Sequence, residues 1–100
     1  MRIRLLDLAK ADLTEHNQYY RTVGGLPLAR KMMARIKGPV LALKDNPGIA
    51  PLYELALGTR RLVVADGAFL VYYRVRDDVE VLHIRRAERE PATVVDLGES

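Results

Sequence analysis

The 100 residues carry 16 Lys and Arg against 13 Asp and Glu, a formal charge of +3, and 49% of the chain is hydrophobic. That length makes one domain with a single core, stable without metal or disulfide support. With no Cys and only His16 and His83 as imidazoles, disulfides and thiolate metal sites are excluded, and neither a metal site nor a cofactor is expected.

No stretch reaches the roughly 20 apolar residues of a membrane span, and Asp7 interrupts the N-terminal apolar run, so the reading is a cytoplasmic protein without a membrane partner. Twelve of the 16 basic residues are Arg, and residues 59 to 89 hold seven Arg and no Lys. The planar guanidinium binds carboxylate and phosphate in bidentate fashion and stacks on rings, which suits an acidic protein segment or a nucleic acid.

Ile3 and Leu5 alternate with Arg2 and Arg4, the period of a short strand. Ala9, Leu13, His16, Tyr20 and Val23 then recur at helical spacing, which makes His16 a packing or hydrogen-bonding residue on a buried stripe. Gly24-Gly25 ends that helix, and Pro27 suits the first turn of a second one. Ala29, Met33, Ile36, Val40 and Leu43 form its stripe, and Gly38-Pro39 predicts a kink or restart within it. Leu28 and Met32 lie off the stripe and are candidates for a partner-binding apolar strip. Residues 45 to 58 read as a connecting loop.

Three strands follow. Asp66-Gly67 is a primed-turn signal, and it pairs Val64 with Phe69, Leu62 with Val71, Arg61 with Tyr72 and Arg60 with Tyr73. If Asp77-Asp78 is also a two-residue turn, Tyr72 faces His83 and Val71 faces Ile84. Leu62, Val64, Phe69, Val71, Tyr73, Leu82 and Ile84 then share a buried face. Arg61, Tyr72 and His83 form a row on the other, flanked by Arg74 and Arg85. That face stays open unless the tail from Pro91 onward folds over it. Val94, Val95 and Leu97 are the tail residues able to add a strand or pack on the sheet.

The expected fold is α+β: an N-terminal strand, then a helical hairpin packed on one face of a small antiparallel sheet with a C-terminal three-stranded meander, β-α-α-β-β-β. Residues 1-90 form the domain and 91-100 a C-terminal tail.

Taken together, AKADL (9 to 13) followed by Tyr19 and Tyr20, LARKMMARI (28 to 36), LALKDNPGI (41 to 49), ELALGTRRLVV (54 to 64), FLVYYRV (69 to 75) and VEVLHIRR (79 to 86) resemble the RelE/ParE superfamily of toxins from type II toxin-antitoxin systems, the ParE branch most of all. The resemblance implies a plasmid-stabilisation type toxin that inhibits growth by poisoning DNA gyrase. It also implies neutralisation by a cognate antitoxin within a toxin-antitoxin hetero-oligomer. A RelE-like ribosome-dependent messenger RNA endoribonuclease is the alternative, and a non-toxic antitoxin-binding module is the second.

Enzymatic activity is open and leans toward absent. Metal-independent RNA cleavage needs a base, an acid and cations for the phosphorane, roles that would fall to Arg61, Tyr72, His83 and Arg85. Arg60 sits where the resemblance places an Arg before the central hairpin. The residues expected to meet target or antitoxin are Leu28, Met32, Arg60, Arg61, Tyr72, Arg74, His83, Arg85, Arg86 and Arg89.

Overall fold

The computed structural model describes residues 1–87 and residue 97. In chain order, strand β1 (Ile3–Leu5) leads into helix α1 (Asp7–Ala42), followed by β2 (Arg60–Val64), β3 (Phe69–Val75) and β4 (Val79–Arg86). The strands form one sheet in the order β1-β4-β3-β2. β2–β3 and β3–β4 are antiparallel, whereas β1 runs parallel to β4. The sheet is therefore mixed rather than antiparallel, because the chain crosses over the sheet through α1 and returns at its opposite edge.

Helix α1 runs from Asp7 to Ala42 as one element, but two helical segments meet within it at Gly25, which leaves helical geometry with φ 78° and ψ −175° at the Gly24-Gly25 pair where the first helix was expected to end. A positive φ there suits a residue without a Cβ. Its neighbour Gly24 allows a close approach, since a Cβ on it would collide with the Leu28 side chain. Leu13, ahead of the break, and Ile36 and Val40, behind it, line one cleft of about 210 Å³ against Ile3 and Leu5 of β1.

Of the kink or restart expected at Gly38-Pro39, the restart does not occur, and α1 passes through Pro39 to Ala42 with helical backbone angles. Packing explains why: Ile36, Val40 and Leu43 around it are all buried. Each such side chain contributes about 1.5–3 kcal/mol on burial, which together outweighs the roughly 3 kcal/mol cost of an interior proline.

The β2–β3 hairpin has the expected register throughout, Arg60↔Tyr73, Arg61↔Tyr72, Leu62↔Val71 and Val64↔Phe69. Asp66 (φ 55°) and Gly67 (φ 90°) both have positive φ, and Ala68 N–H donates to Ala65 O at 3.1 Å. Arg35 of α1 forms an ion pair with Asp66, fixing the turn to the helix.

The β3–β4 connection differs from the expected two-residue turn. Val75 pairs with Val79, and Arg76 N–H donates to Asp78 O at 2.9 Å, so Arg76 belongs to the loop. Opposite Tyr72 and Tyr73 a bulge leaves Leu82 without a partner on β3. The longer loop and the bulge each shift the pairing by one residue and cancel, so Tyr72↔His83 and Val71↔Ile84 form as expected. Between them the faces change: Val79 and Val81, not Leu82, join Phe69, Val71, Tyr73 and Ile84 in the core under α1.

Candidate functional site

Among the described residues, the edge of β4 beyond Leu5 has no neighbouring strand, and α1 supplies side chains in its place. Asp12 Oδ2 accepts the Ile84 N–H at 2.9 Å, and His16 Nε2 donates to Ile84 O at 2.8 Å. His16 is buried, with its ring edge-on to Phe69 at 4.7 Å. This is the packing and hydrogen-bonding role expected of it.

Asp12 carries a second load. The same Oδ2 accepts from His83 Nδ1 at 2.5 Å, which fixes the imidazole with its Nδ1 protonated. Sequence reasoning missed Asp12. The signal was its place one helical turn before His16, on the flank of the apolar stripe.

The row Arg61, Tyr72, His83 exists as a register, but it does not lie open. Tyr72 is fully buried. Tyr53 packs edge-on to it at 5.0 Å, and the ring of His83 stacks against it at 6.2 Å. Ala56 and Leu97 complete this second cluster, with Leu70 beside it. The expected open face is thus roofed over Tyr72 by the segment before β2 and by one residue of the tail.

That roof is built by backbone bonds onto β2. Tyr53 N–H donates to Thr59 O at 2.7 Å and Arg61 N–H to Pro51 O at 3.2 Å, and Leu52 bridges to Arg60. Arg61 lies over the Tyr53 ring at 5.1 Å. Burial pushes the Tyr53 phenol above its ordinary range, aided by the neighbouring Tyr72 hydroxyl and opposed by the charges of Arg61 and Arg85.

The remaining candidate residues separate by role. Arg60 Nη1 donates to Ala50 O at 2.7 Å, holding the loop before the roof rather than facing outward. Arg74 donates from Nε to Glu80 Oε1 at 2.6 Å, and Arg4 approaches the other oxygen at 3.5 Å. The Arg74 and Arg4 guanidiniums hold the Glu80 carboxyl below its usual value against the opposing effect of burial.

Arg86 lies over the ring of Tyr19, on α1, at 3.8 Å. Met32 packs against the core and Leu28 is half-buried, so neither is a fully exposed strip. Arg89 and the rest of the tail apart from Leu97 lie outside the described residues. Among the described residues, no group of three or more potential metal-ligating side chains comes together, and no helix is long and apolar enough to cross a membrane.

The second sheet face is therefore a partly covered aromatic patch with Arg61 on one side and His83 and Arg85 on the other. The opposite side of the molecule carries the apolar cleft between β1 and α1, with Lys37 in its lining. A neighbouring hollow joins Arg2, Arg4 and Lys10. Both regions suit recognition of acidic and amphipathic protein segments.

Residues 3–91 match the family model of the ParE toxin of type II toxin-antitoxin systems, parDE. Among solved structures, one from the chromosomal ParDE toxin-antitoxin system of P. aeruginosa is similar, with 27% sequence identity and a TM-score of 0.78 over 88% of this chain and 97% of that one. No curated protein matches in sequence.

Proposed function

From a chain that belongs to the ParE toxin family of type II toxin-antitoxin systems, we infer a toxin that arrests growth by binding and poisoning DNA gyrase in the cytoplasm, without catalysis of its own. The observation that carries this reading is the fate of the groups a metal-free nuclease would use. Tyr72 is fully buried. Arg61 lies over the Tyr53 ring at 5.1 Å, as part of the roof above Tyr72. Arg74 is paired with Glu80. What the surface offers instead is shape, exposed aliphatic groups such as Leu52, Leu55 and Leu57, and guanidinium groups, the materials of a protein interface.

Neutralisation by a cognate antitoxin is part of the same proposal. An amphipathic C-terminal antitoxin segment would place its apolar side chains along the cleft of Ile3, Leu5, Leu13, Ile36 and Val40. Its acidic residues would meet Lys37 and the hollow of Arg2, Arg4 and Lys10. The decisive experiment is a supercoiling assay with purified gyrase. Inhibition is expected, and full supercoiling at a large molar excess of folded protein would refute the mechanism.

One observation favours the ribonuclease reading. A carboxylate that fixes a histidine through Nδ1 leaves Nε2 as the acceptor, the arrangement of an oriented general base. Under that reading His83→Ala abolishes toxicity with the fold intact. Under the gyrase reading His83→Ala leaves toxicity in place wherever the fold survives.

A further inference from the structure

We propose that Leu97 is a plug the chain supplies to its own second sheet face, and that the seat beneath it recognises a short acidic segment with one aliphatic anchor. Leu97 lies well beyond the end of β4 and is only 3% exposed, enclosed by Tyr53, Ala56 and Tyr72. The walls of the seat are set without it. Tyr72 is held in the sheet between Arg61 and His83, and Tyr53 is held by its bond to Thr59 O and by Arg61 over its ring.

The floor of the seat is aromatic, and the Arg61 guanidinium lies beside it, over the Tyr53 ring at 5.1 Å. In the sequence, Asp96 and Glu99 flank Leu97. By residue type, an aliphatic anchor with acidic sequence neighbours suits an aromatic floor beside a guanidinium, so the sequence around Leu97 stands in for the ligand class the seat accepts. A seat occupied by its own chain binds a competitor only in its open fraction, which lowers the apparent affinity by that fraction.

The test uses the full-length chain and, as probe, an acetylated peptide of residues 94 to 100, VVDLGES. The chain has no Trp, and two of its five Tyr, Tyr53 and Tyr72, line the seat, so a change in tyrosine emission follows the titration. Leu97→Asp is expected to keep the far-UV circular dichroism of the folded protein and to bind the peptide at least about tenfold more tightly than wild type. The peptide carrying Leu97→Asp should bind neither chain. Should Leu97→Asp fail to fold, Leu97→Ala is titrated in its place with the same expectation. Equal affinity for wild type and variant, no binding to a folded variant, or loss of fold in both variants would overturn the proposal. The last outcome would make Leu97 an integral core residue.

Discussion

Asp12 and His83, 71 positions apart, meet through a 2.5 Å hydrogen bond, and the same carboxylate oxygen takes the backbone N–H of Ile84 at 2.9 Å. With His16 on the Ile84 carbonyl, two side chains one helical turn apart replace the strand that β1 is too short to provide. An uncovered strand edge invites wrong pairing, so this contact fixes helix to sheet and closes the edge together.

Asp12→Ala leaves a buried backbone donor and an imidazole N–H without an acceptor. Each orphaned donor costs about 1–3 kcal/mol, so a loss of roughly 3 kcal/mol is expected, which lowers the melting temperature of a domain this size by more than about 10 °C. Asp12→Asn keeps one acceptor and should lose about half as much. Thermal unfolding followed by circular dichroism decides the matter, and a shift of less than about 3 °C for Asp12→Ala would show that the contact carries little.

Arg60 and Tyr73, a cross-strand pair, hold the loop between α1 and β2. Tyr73 Oη donates to Pro47 O at 2.7 Å, and Arg60 Nη1 donates to Ala50 O at 2.7 Å. Tyr73→Phe and Arg60→Ala should each cost about 1–2 kcal/mol and speed amide hydrogen exchange in residues 46 to 50, with no change in β4. Burial raises the Tyr73 phenol above 10.0. The folded state therefore favours the neutral phenol, and that contribution is complete below pH 10 and lost as pH rises through the folded-state value. Tyr73→Phe should flatten the alkaline limb of the stability profile, and an unchanged limb would assign it to other groups.

Much of this arrangement was legible in the sequence, and the rest was hidden for identifiable reasons. Alternation about Asp66-Gly67 sets Arg61 against Tyr72 and Arg60 against Tyr73, because a hairpin turn and a period of two leave no other register. The bulge at Leu82 has no such signal. His83 still lands opposite Tyr72 because the longer Arg76–Asp78 loop compensates for it. Asp12 was hidden because a carboxylate flanking an apolar stripe reads as solvated until its partner, far along the chain, is brought to it. Tyr53 and Ala56 lie in a Pro- and Gly-rich stretch that reads as loop, yet it forms the roof over Tyr72.

Glu80 makes the acid side of stability testable. Arg74, then Arg4 and Arg76, lower its carboxyl below the ordinary 4.5 against the opposing effect of burial. A depressed folded-state value means that the contribution is present above pH 4.5 and is lost as pH falls through the folded value. Glu80→Gln should therefore reduce stability at pH 7 and change it little at pH 2 to 3, shrinking the difference between the two. Denaturant unfolding at both pH values measures this. An equal loss at both would mean that packing, not charge, is the contribution of Glu80.

Ala65 and Gly67 predict effects of opposite sign within one turn. Ala65 has φ 54° and Gly67 φ 90°, both in the region where a Cβ crowds the backbone, at a cost of roughly 1–2 kcal/mol for a residue other than glycine. Ala65→Gly relieves that strain but gives the unfolded chain more freedom, a penalty of about 0.4–1 kcal/mol, and Ala65 also packs partly against the core. The net should be a gain of a few tenths of a kcal/mol to about 1 kcal/mol. Gly67→Ala introduces strain where none exists, and although a Cβ there meets nothing within 4 Å, it should cost about 1 kcal/mol or more. Urea unfolding of the two variants therefore should move the midpoint in opposite directions. Movement in the same direction would mean that the turn relaxes out of the left-handed region, and with it the register that places Arg61 beside Tyr72.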